Sequence, residues 1–127
     1  MLLYVTVGTN DLAKAGQFYD NVLAELGYQR RETEAESFGY AHAGDTRCRL
    51  WVTRPFDRKP ASFGNGVTIS LVAESRDAVR RFHAVALALG GLDEGAPGLR
   101  PFHAHFYAAF VRDLDGNKIA AVCEKPE

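Results

Sequence analysis

The sequence predicts an α+β fold built from two βαβββ modules. Three observations support this prediction: a strand–helix pattern that occurs twice, a β-hairpin at the end of the chain, and a cluster of helix and strand breakers between the two halves. The length of 127 residues and the hydrophobic content of 46% are those of one ordinary globular domain. We expect a single domain with module one at residues 1–56, a linker at 57–65 and module two at 66–127.

The composition argues against several functional classes. The formal net charge of −1 gives no basic face, so we expect no nucleic-acid partner. No apolar run approaches the ~20 residues of a membrane helix, and the N-terminal residues alternate too early with polar ones to form a signal peptide. The two cysteines are too few for a disulfide scaffold and suit a reducing compartment. We therefore expect a cytoplasmic protein with no membrane partner.

Module one begins with an alternating strand at Leu3–Gly8, in which the valines share one face and Tyr4 and Thr6 share the other. The segment Thr9–Asp11 supplies an N-cap, and apolar residues recur at helical spacing from Leu12 to Leu26. A helix is therefore predicted there, followed by three short strands: Tyr28–Thr33, Ser37–His42 and Arg47–Thr53.

The pattern restarts after Arg54–Gly66, where proline and glycine are concentrated. A strand is predicted first and then a helix with Ser75 as its N-cap. The predicted segments are a strand at Val67–Ala73, a helix at Arg76–Leu89, a Gly/Pro loop at Leu92–Gly98 and a short strand at Leu99–Phe102.

The two halves match at a constant offset of 64 residues, which indicates an internal duplication. The matched positions play the same structural parts: inward strand residue, N-cap, helix aromatic, helix core leucine and helix stop. They are Tyr4 and Thr68, Asp11 and Ser75, Phe18 and Phe82, Leu23 and Leu87, and Gly27 and Gly91. One offset at five landmarks favours duplication over the general likeness of any two strand–helix units.

The chain ends in a predicted hairpin, in which Ala108–Val111 and Ile119–Cys123 flank the turn residues Asp113–Asn117. Its pattern Phe-Val-Arg-Asp-x-Asp-Gly-Asn-x-Ile resembles the C-terminal hairpin of the vicinal oxygen chelate superfamily, the glyoxalase/bleomycin resistance/dioxygenase group. Phe18–Tyr19 and Leu26–Tyr28 resemble the family's first helix and the strand after it. The resemblance implies modules that curl into a half-barrel, a site on the concave side, and a homodimer.

The resemblance also implies where a divalent metal would bind. The family's ligands, usually His and Glu, fall on Tyr4, Thr68 and Ala120, with a fourth near Leu50–Trp51. Hydroxyl groups are weak neutral ligands and alanine has no donor atom, so the usual metal is not expected. We predict no cofactor, although a divalent metal on other ligands stays an alternative.

Two other chemistries stay open. A relocated metal site would use His103 and His105, which would share one face of a strand, or Cys48 and Cys123. Metal-free catalysis would use the same side chains or His42, but no local catalytic signature is present and no catalytic residue is assigned. Alternatively, His103 and His105 lie in a solvated loop and both cysteines are small core residues.

We expect a binding protein for a small apolar or aromatic molecule, since the predicted site is aromatic with a few hydroxyl groups. Arg49 is the cation that would bind a carboxylate if it faced inward. The alternatives are a metal-dependent lyase or dioxygenase with relocated ligands, and a cup filled by its own aromatic side chains. The predicted ligand-binding residues are Tyr4, Thr6, Arg49, Trp51, Thr68, Ser70, His103, His105, Tyr107 and Ala120.

Overall fold

The computed structural model describes residues Met1–Glu127, which form two four-stranded sheets and two helices. The predicted α+β fold with two βαβββ modules is confirmed, and the two sheets do not close into a barrel. The elements are β1 Val5–Gly8, α1 Leu12–Ala24, β2 Tyr28–Thr33, β3 Ser37–His42, β4 Leu50–Thr53, β5 Ile69–Val72, α2 Arg76–Ala88, β6 Leu92–Leu99, β7 Tyr107–Arg112 and β8 Lys118–Cys123. Neither helix is long and apolar enough to cross a membrane.

The sheets have equivalent strand orders, β1-β4-β3-β2 and β5-β8-β7-β6. In each sheet the first strand of the module pairs in parallel with the last, and the other pairs are antiparallel. Both helices begin and end 64 residues apart, at Leu12 and Arg76 and at Ala24 and Ala88. The predicted offset is therefore an offset between structural elements.

Each helix covers one face of its sheet. Asp11 caps α1 by accepting a hydrogen bond from the Lys14 amide, and Ser75 caps α2 in the same way through the Ala78 amide, as predicted. The covered faces share one hydrophobic cluster of 20 buried residues, which includes Phe18 of α1 and Phe82 of α2. The uncovered side of each sheet is called its open face below.

The turn between β7 and β8 joins the two modules by hydrogen bonds. The Tyr19 hydroxyl of α1 donates to Asp113 Oδ2 at 2.5 Å. The Asn10 amide donates to Asp115 Oδ1 at 2.8 Å, and Asn117 Nδ2 donates to the Gly8 carbonyl at 3.0 Å. The predicted hairpin turn thus fixes the start of α1 as well as the last two strands.

One segment of module two differs from its prediction. Residues Leu92–Leu99 form β6, not a loop, and the residues after Leu99 form turns, not a strand. The glycine and proline residues are tolerated because β6 is an edge strand, where a missing amide donor breaks no ladder. The pairing with β7 shifts register near Gly95 and Gly98, as in a β-bulge.

Several elements are shorter than predicted. Strand β1 begins at Val5, β4 at Leu50 and β5 at Ile69. Parallel pairing with β1 explains the start of β4, because Val5 lies opposite Leu50 and no residue before this pair belongs to β1. Residues Arg47–Arg49 consequently lie outside β4, in the connection from β3.

Candidate functional site

An open cleft of about 800 Å³ lies on the open face of the first sheet. All of its lining residues come from module one, and they combine aromatic, hydroxyl and charged side chains. They are Tyr4, Thr6, Arg31, Glu32, Glu34, Ser37, Thr46, Arg47, Cys48, Trp51, Thr53 and Phe56.

Strand register places four residues in one row across the first sheet. Thr6 of β1 pairs with Trp51 of β4, Trp51 pairs with Gly39 of β3, and Gly39 pairs with Glu32 of β2. Paired residues in a sheet point to the same face. The half-buried indole of Trp51 therefore lies between Thr6 on one side and Gly39 on the other, and forms the floor of the cleft.

Charged side chains line the rim of the cleft. The Arg31 guanidinium is held by main-chain carbonyls, since it donates to the carbonyl of His42 at 2.9 Å and also to that of Asp45. The side chains of Glu32, Glu34 and Arg47 form no salt bridge. They are available to a ligand that reaches the rim.

The Cys48 thiol is buried beside the indole of Trp51. Burial raises the pKa of this thiol, and the nearby charge of Glu32 raises it further. The thiol therefore stays protonated at neutral pH, and a protonated thiol is a weak nucleophile. Its position suits packing against Trp51.

Three of the predicted binding residues lie together in this cleft: Tyr4, Thr6 and Trp51. Arg49 does not line it, because its guanidinium donates to Asp45 Oδ2 at 2.7 Å and to the Leu3 carbonyl at 2.9 Å. Arg49 and Asp45 therefore form an ion pair, and the hydrogen bond from Arg49 lowers the pKa of Asp45. The expected carboxylate-binding cation is thus already engaged by a carboxylate of the chain.

Two further predicted residues lie on the open face of the second sheet. Ser70 pairs with Ala120, and Ala120 pairs with Phe110, so these three form a row. Thr68 precedes β5 and is exposed. None of them lines the cleft of the first sheet, so the structure divides the predicted site between two surfaces.

The remaining predicted residues lie elsewhere. Tyr107 packs against the hydrophobic core on the helix side, and its hydroxyl accepts a hydrogen bond from Arg80 Nη1 at 3.2 Å. His103 and His105 lie in the turns before β7, so the alternative that places them in a loop is confirmed and they do not share a strand face. His103 Nε2 lies 2.7 Å from Glu124 Oε2 at the surface. Ligand binding by any of these residues stays a prediction.

The donor groups of the chain do not fit a divalent metal. No three side chains of His, Cys, Asp or Glu are arranged to hold an ion. Among the expected ligand positions, Ala120 has no donor atom and Thr68 lies away from the cleft that contains Tyr4. The candidates for a relocated site are also separated, since Cys48 adjoins the cleft and Cys123 lies in the core.

Most of the cleft wall contributed by β2, by the turn after it and by the residues around the end of β4 is not predicted from the sequence. The main omissions are Glu32, Glu34, Ser37, Thr53 and Phe56. One feature of the sequence does point to this wall. Gly39 is an isolated glycine inside a strand of larger residues, and such a glycine often marks a place where another group approaches the backbone closely. The residues paired with Gly39 on the neighbouring strands are Trp51 of β4 and Glu32 of β2, and both line the cleft.

Comparison with known proteins identifies close structural relatives. Residues 1–121 match the family model of the Glyoxalase/Bleomycin resistance protein/Dioxygenase superfamily. A glyoxalase/bleomycin resistance protein from Albidiferax ferrireducens T118 is 35% identical over 99% of both chains, with a TM-score of 0.87. No functionally curated protein matches the chain.

More distant solved structures share the fold alone. A lactoylglutathione lyase from Agrobacterium tumefaciens is 17% identical, with a TM-score of 0.66 over 97% of this chain and 92% of that one. A fosfomycin resistance protein from Listeria monocytogenes is 14% identical, with a TM-score of 0.69 over 98% of this chain and 93% of that one.

Proposed function

We propose that this chain, which belongs to the Glyoxalase/Bleomycin resistance protein/Dioxygenase superfamily, binds a small apolar or aromatic molecule without the metal that serves many of its relatives. The observation that carries the proposal is the aromatic cleft of about 800 Å³, in which Tyr4, Trp51 and Phe56 present ring surface. A volume of this size is typical of small-molecule sites.

The chemistry of the cleft wall supports a planar or amphiphilic ligand. Aromatic side chains offer large apolar area and prefer stacked or edge-to-face contacts with other rings. The hydroxyl groups of Thr6 and Ser37 line the same cleft and supply hydrogen bonds that orient a ligand. The unpaired Glu32 and Glu34 at the rim favour a ligand with a hydrogen-bond donor at one end.

Calorimetric titration with 2-naphthol, a flat molecule with one hydroxyl group, tests this proposal. We expect saturable one-site binding to the wild-type protein and at least about tenfold weaker binding to Trp51→Ala, since stacking on an aromatic ring contributes about 1 kcal/mol beyond the buried area. Phe102→Ala is the matched control, because Phe102 is exposed and lies outside the cleft. An absence of binding at millimolar 2-naphthol, or equal losses in both variants, would contradict the proposal.

The alternative of a metal-dependent lyase or dioxygenase requires donors that the chain does not bring together. Titration with Zn²⁺, Ni²⁺ and Fe²⁺ separates the two hypotheses. Stoichiometric binding with submicromolar affinity, followed by metal-dependent turnover of the methylglyoxal–glutathione adduct or of a catechol, would favour the enzyme. Weak non-stoichiometric binding supports the metal-independent proposal.

We also propose a homodimer in the cytoplasm. Both open faces leave apolar side chains in solvent, with Tyr4 51% exposed on the first and Val72 72% exposed on the second. A second copy would cover such surface. Sedimentation equilibrium tests the dimer, since a particle of one 14.0 kDa chain at all concentrations would contradict it.

The proposed location in the cytoplasm is supported by the cysteines. Cys48 and Cys123 are unpaired, which suits a reducing compartment.

A further inference from the structure

We infer that Gly39 is a positioning residue for Trp51 and that it sets the depth of the cleft, and hence the size of ring that the cleft accepts. Gly39 does not line the cleft. It acts through the indole of Trp51, which does line the cleft. The part of this inference that concerns ligands rests on the proposed function, whereas the part that concerns the position of the indole does not.

The backbone gives no reason for a glycine at position 39. The residue lies in the middle of β3, is buried, and is not among the residues with a positive φ. Glycine weakens the interior of a strand because it contributes no packing and loses more conformational freedom on folding. Since the backbone conformation does not require glycine here, the remaining explanation is that another group occupies the space that a side chain would fill.

That space is occupied by the floor of the cleft. A Cβ atom added to Gly39 would lie 2.8 Å from Cη2 and 2.9 Å from Cζ3 of Trp51. It would also lie 3.0 Å from the Sγ atom of Cys48. Real Cβ atoms essentially never approach other atoms below 3.0 Å. The six-membered ring of the indole therefore fits into the gap that the glycine leaves on the open face.

A methyl group at position 39 would displace this ring. The backbone of β3 is paired on both sides, with β2 and β4, so it has little freedom to move away. The indole is the group that can move, and its free side is the cleft. Gly39→Ala would thus raise the floor toward Tyr4 and Phe56 and leave less height for a flat ligand.

Module one also contains a matched control for this substitution. A Cβ atom added to Gly44, in the connection between β3 and β4, meets no atom within 4 Å. Gly44 is not among the glycines with a positive φ, so alanine there is not strained by the backbone. Gly44→Ala therefore adds the same methyl group without touching Trp51.

The position of the indole can be measured without any ligand. Trp51 is the single tryptophan of the chain, so its fluorescence reports on this site alone. We expect Gly39→Ala to shift the emission to longer wavelength and to increase quenching by acrylamide, because the ring is pushed toward solvent. Gly44→Ala should match the wild-type protein. Equal emission and quenching in Gly39→Ala and the wild type would overturn the inference.

The effect on binding is measured by a double-mutant cycle with 2-naphthol as the probe. Coupling between residues in contact predicts that Gly39→Ala weakens binding by about tenfold in the wild-type background. In the Trp51→Phe background, where the smaller ring leaves room for the methyl group, we expect the loss to fall below about threefold. Equal losses in the two backgrounds would contradict a role that acts through Trp51.

Two outcomes, a Gly39→Ala variant that does not fold and a wild-type protein that does not bind 2-naphthol, can be distinguished from each other. If Gly39→Ala does not fold, the double variant Gly39→Ala/Trp51→Phe is expected to recover the wild-type circular dichroism, and its failure to do so would overturn the inference. If the wild-type protein does not bind 2-naphthol, the proposed function fails, whereas the fluorescence comparison still decides whether Gly39 positions the indole.

Discussion

Asp113 is a buried carboxyl group whose hydrogen-bond donors come from both modules. Tyr19 of α1 donates to it at 2.5 Å, and Asn117 of its own turn donates through Nδ2 at 2.9 Å. Burial raises the pKa of Asp113, and the hydrogen bonds from Tyr19 and Asn117 oppose that shift only in part. The protonation of this one residue is therefore linked to the stability of the whole fold.

The direction of this linkage gives a prediction. Because the pKa of Asp113 is higher in the folded than in the unfolded chain, its contribution to stability is complete below the unfolded pKa. That contribution is lost as the pH rises through the folded pKa. The free energy of unfolding of the wild type minus that of Asp113→Asn should be largest in acid and should decrease with rising pH. Urea denaturation at a series of pH values measures it.

The surface residue Asp57 provides a control, because it is exposed and its carboxylate accepts a hydrogen bond only from the Lys59 amide. Asp57→Asn should not reproduce the trend. A difference between the wild type and Asp113→Asn that grows with pH would show that the hydrogen bonds outweigh burial.

Single residues also mark the limit of sequence-based site prediction. Alternation along β1 correctly put Thr6 on the face opposite Val7, because one face of that strand is apolar and the other polar. The same rule gave no answer for β7, where Ala108 and Ala109 are both buried and equally small. Alternation therefore does not show on which face of β7 Tyr107 lies, and in the structure it packs on the helix side.

At the scale of an element, helix α1 contains Gly16 at a position where alanine would normally be favoured. Replacing glycine with alanine in a helix stabilises it by about 1 kcal/mol. Here the added Cβ atom would lie 2.5 Å from Cε2 of Phe38 and 2.6 Å from Nη2 of Arg30. The glycine thus lets α1 approach β2 and β3 closely.

We predict that Gly16→Ala destabilises the protein by about 1–3 kcal/mol, since overpacking outweighs helix propensity. Thermal and urea unfolding measure the change. Gln17→Ala, at the exposed neighbouring position of the same helix, is the control and should be close to neutral. A stabilising Gly16→Ala would mean that Phe38 and Arg30 move aside without loss.

Elements with a clear apolar stripe or a turn signature could be predicted from the sequence, and β6 could not. Ser75 and the apolar residues at helical spacing predict helix α2, which begins at Arg76 as predicted. The Gly- and Pro-rich Leu92–Leu99 has no strand-like composition. It becomes a strand only because it pairs with β7 at the edge of a folded sheet, which is information that no local window contains.

At the scale of the whole molecule, the two modules share one hydrophobic core. Phe18 of module one and Phe82 of module two are both fully buried in the same cluster. Such sharing makes it unfavourable for either module to unfold alone, because each would expose part of the core of the other. The division into one domain with two modules, which stays a prediction, can be tested through this coupling.

Phe82→Ala should lower the free energy of unfolding by about 3–5 kcal/mol, the usual cost of removing a buried aromatic ring. Because the modules are coupled, the fluorescence of Trp51 in module one and far-UV circular dichroism should report the same reduced urea midpoint. Leu87, expected in the helix core like Leu23, is instead 37% exposed, so Leu87→Ala should cost much less. An unchanged Trp51 transition in Phe82→Ala would show that the modules unfold independently.

The two βαβββ modules, the repeat of 64 residues, both helix caps and the final turn follow from the amino-acid sequence, because these depend on local spacing and on residues with special backbone preferences, whereas the superfamily is implied by the resemblance of the final hairpin. The folded arrangement was needed to show that Thr6, Trp51 and Glu32 border one cleft and that Ser70 and Ala120 lie on another sheet. The physical reason is that a ligand site is made by strand pairing between distant segments, and register is fixed by packing across the whole sheet.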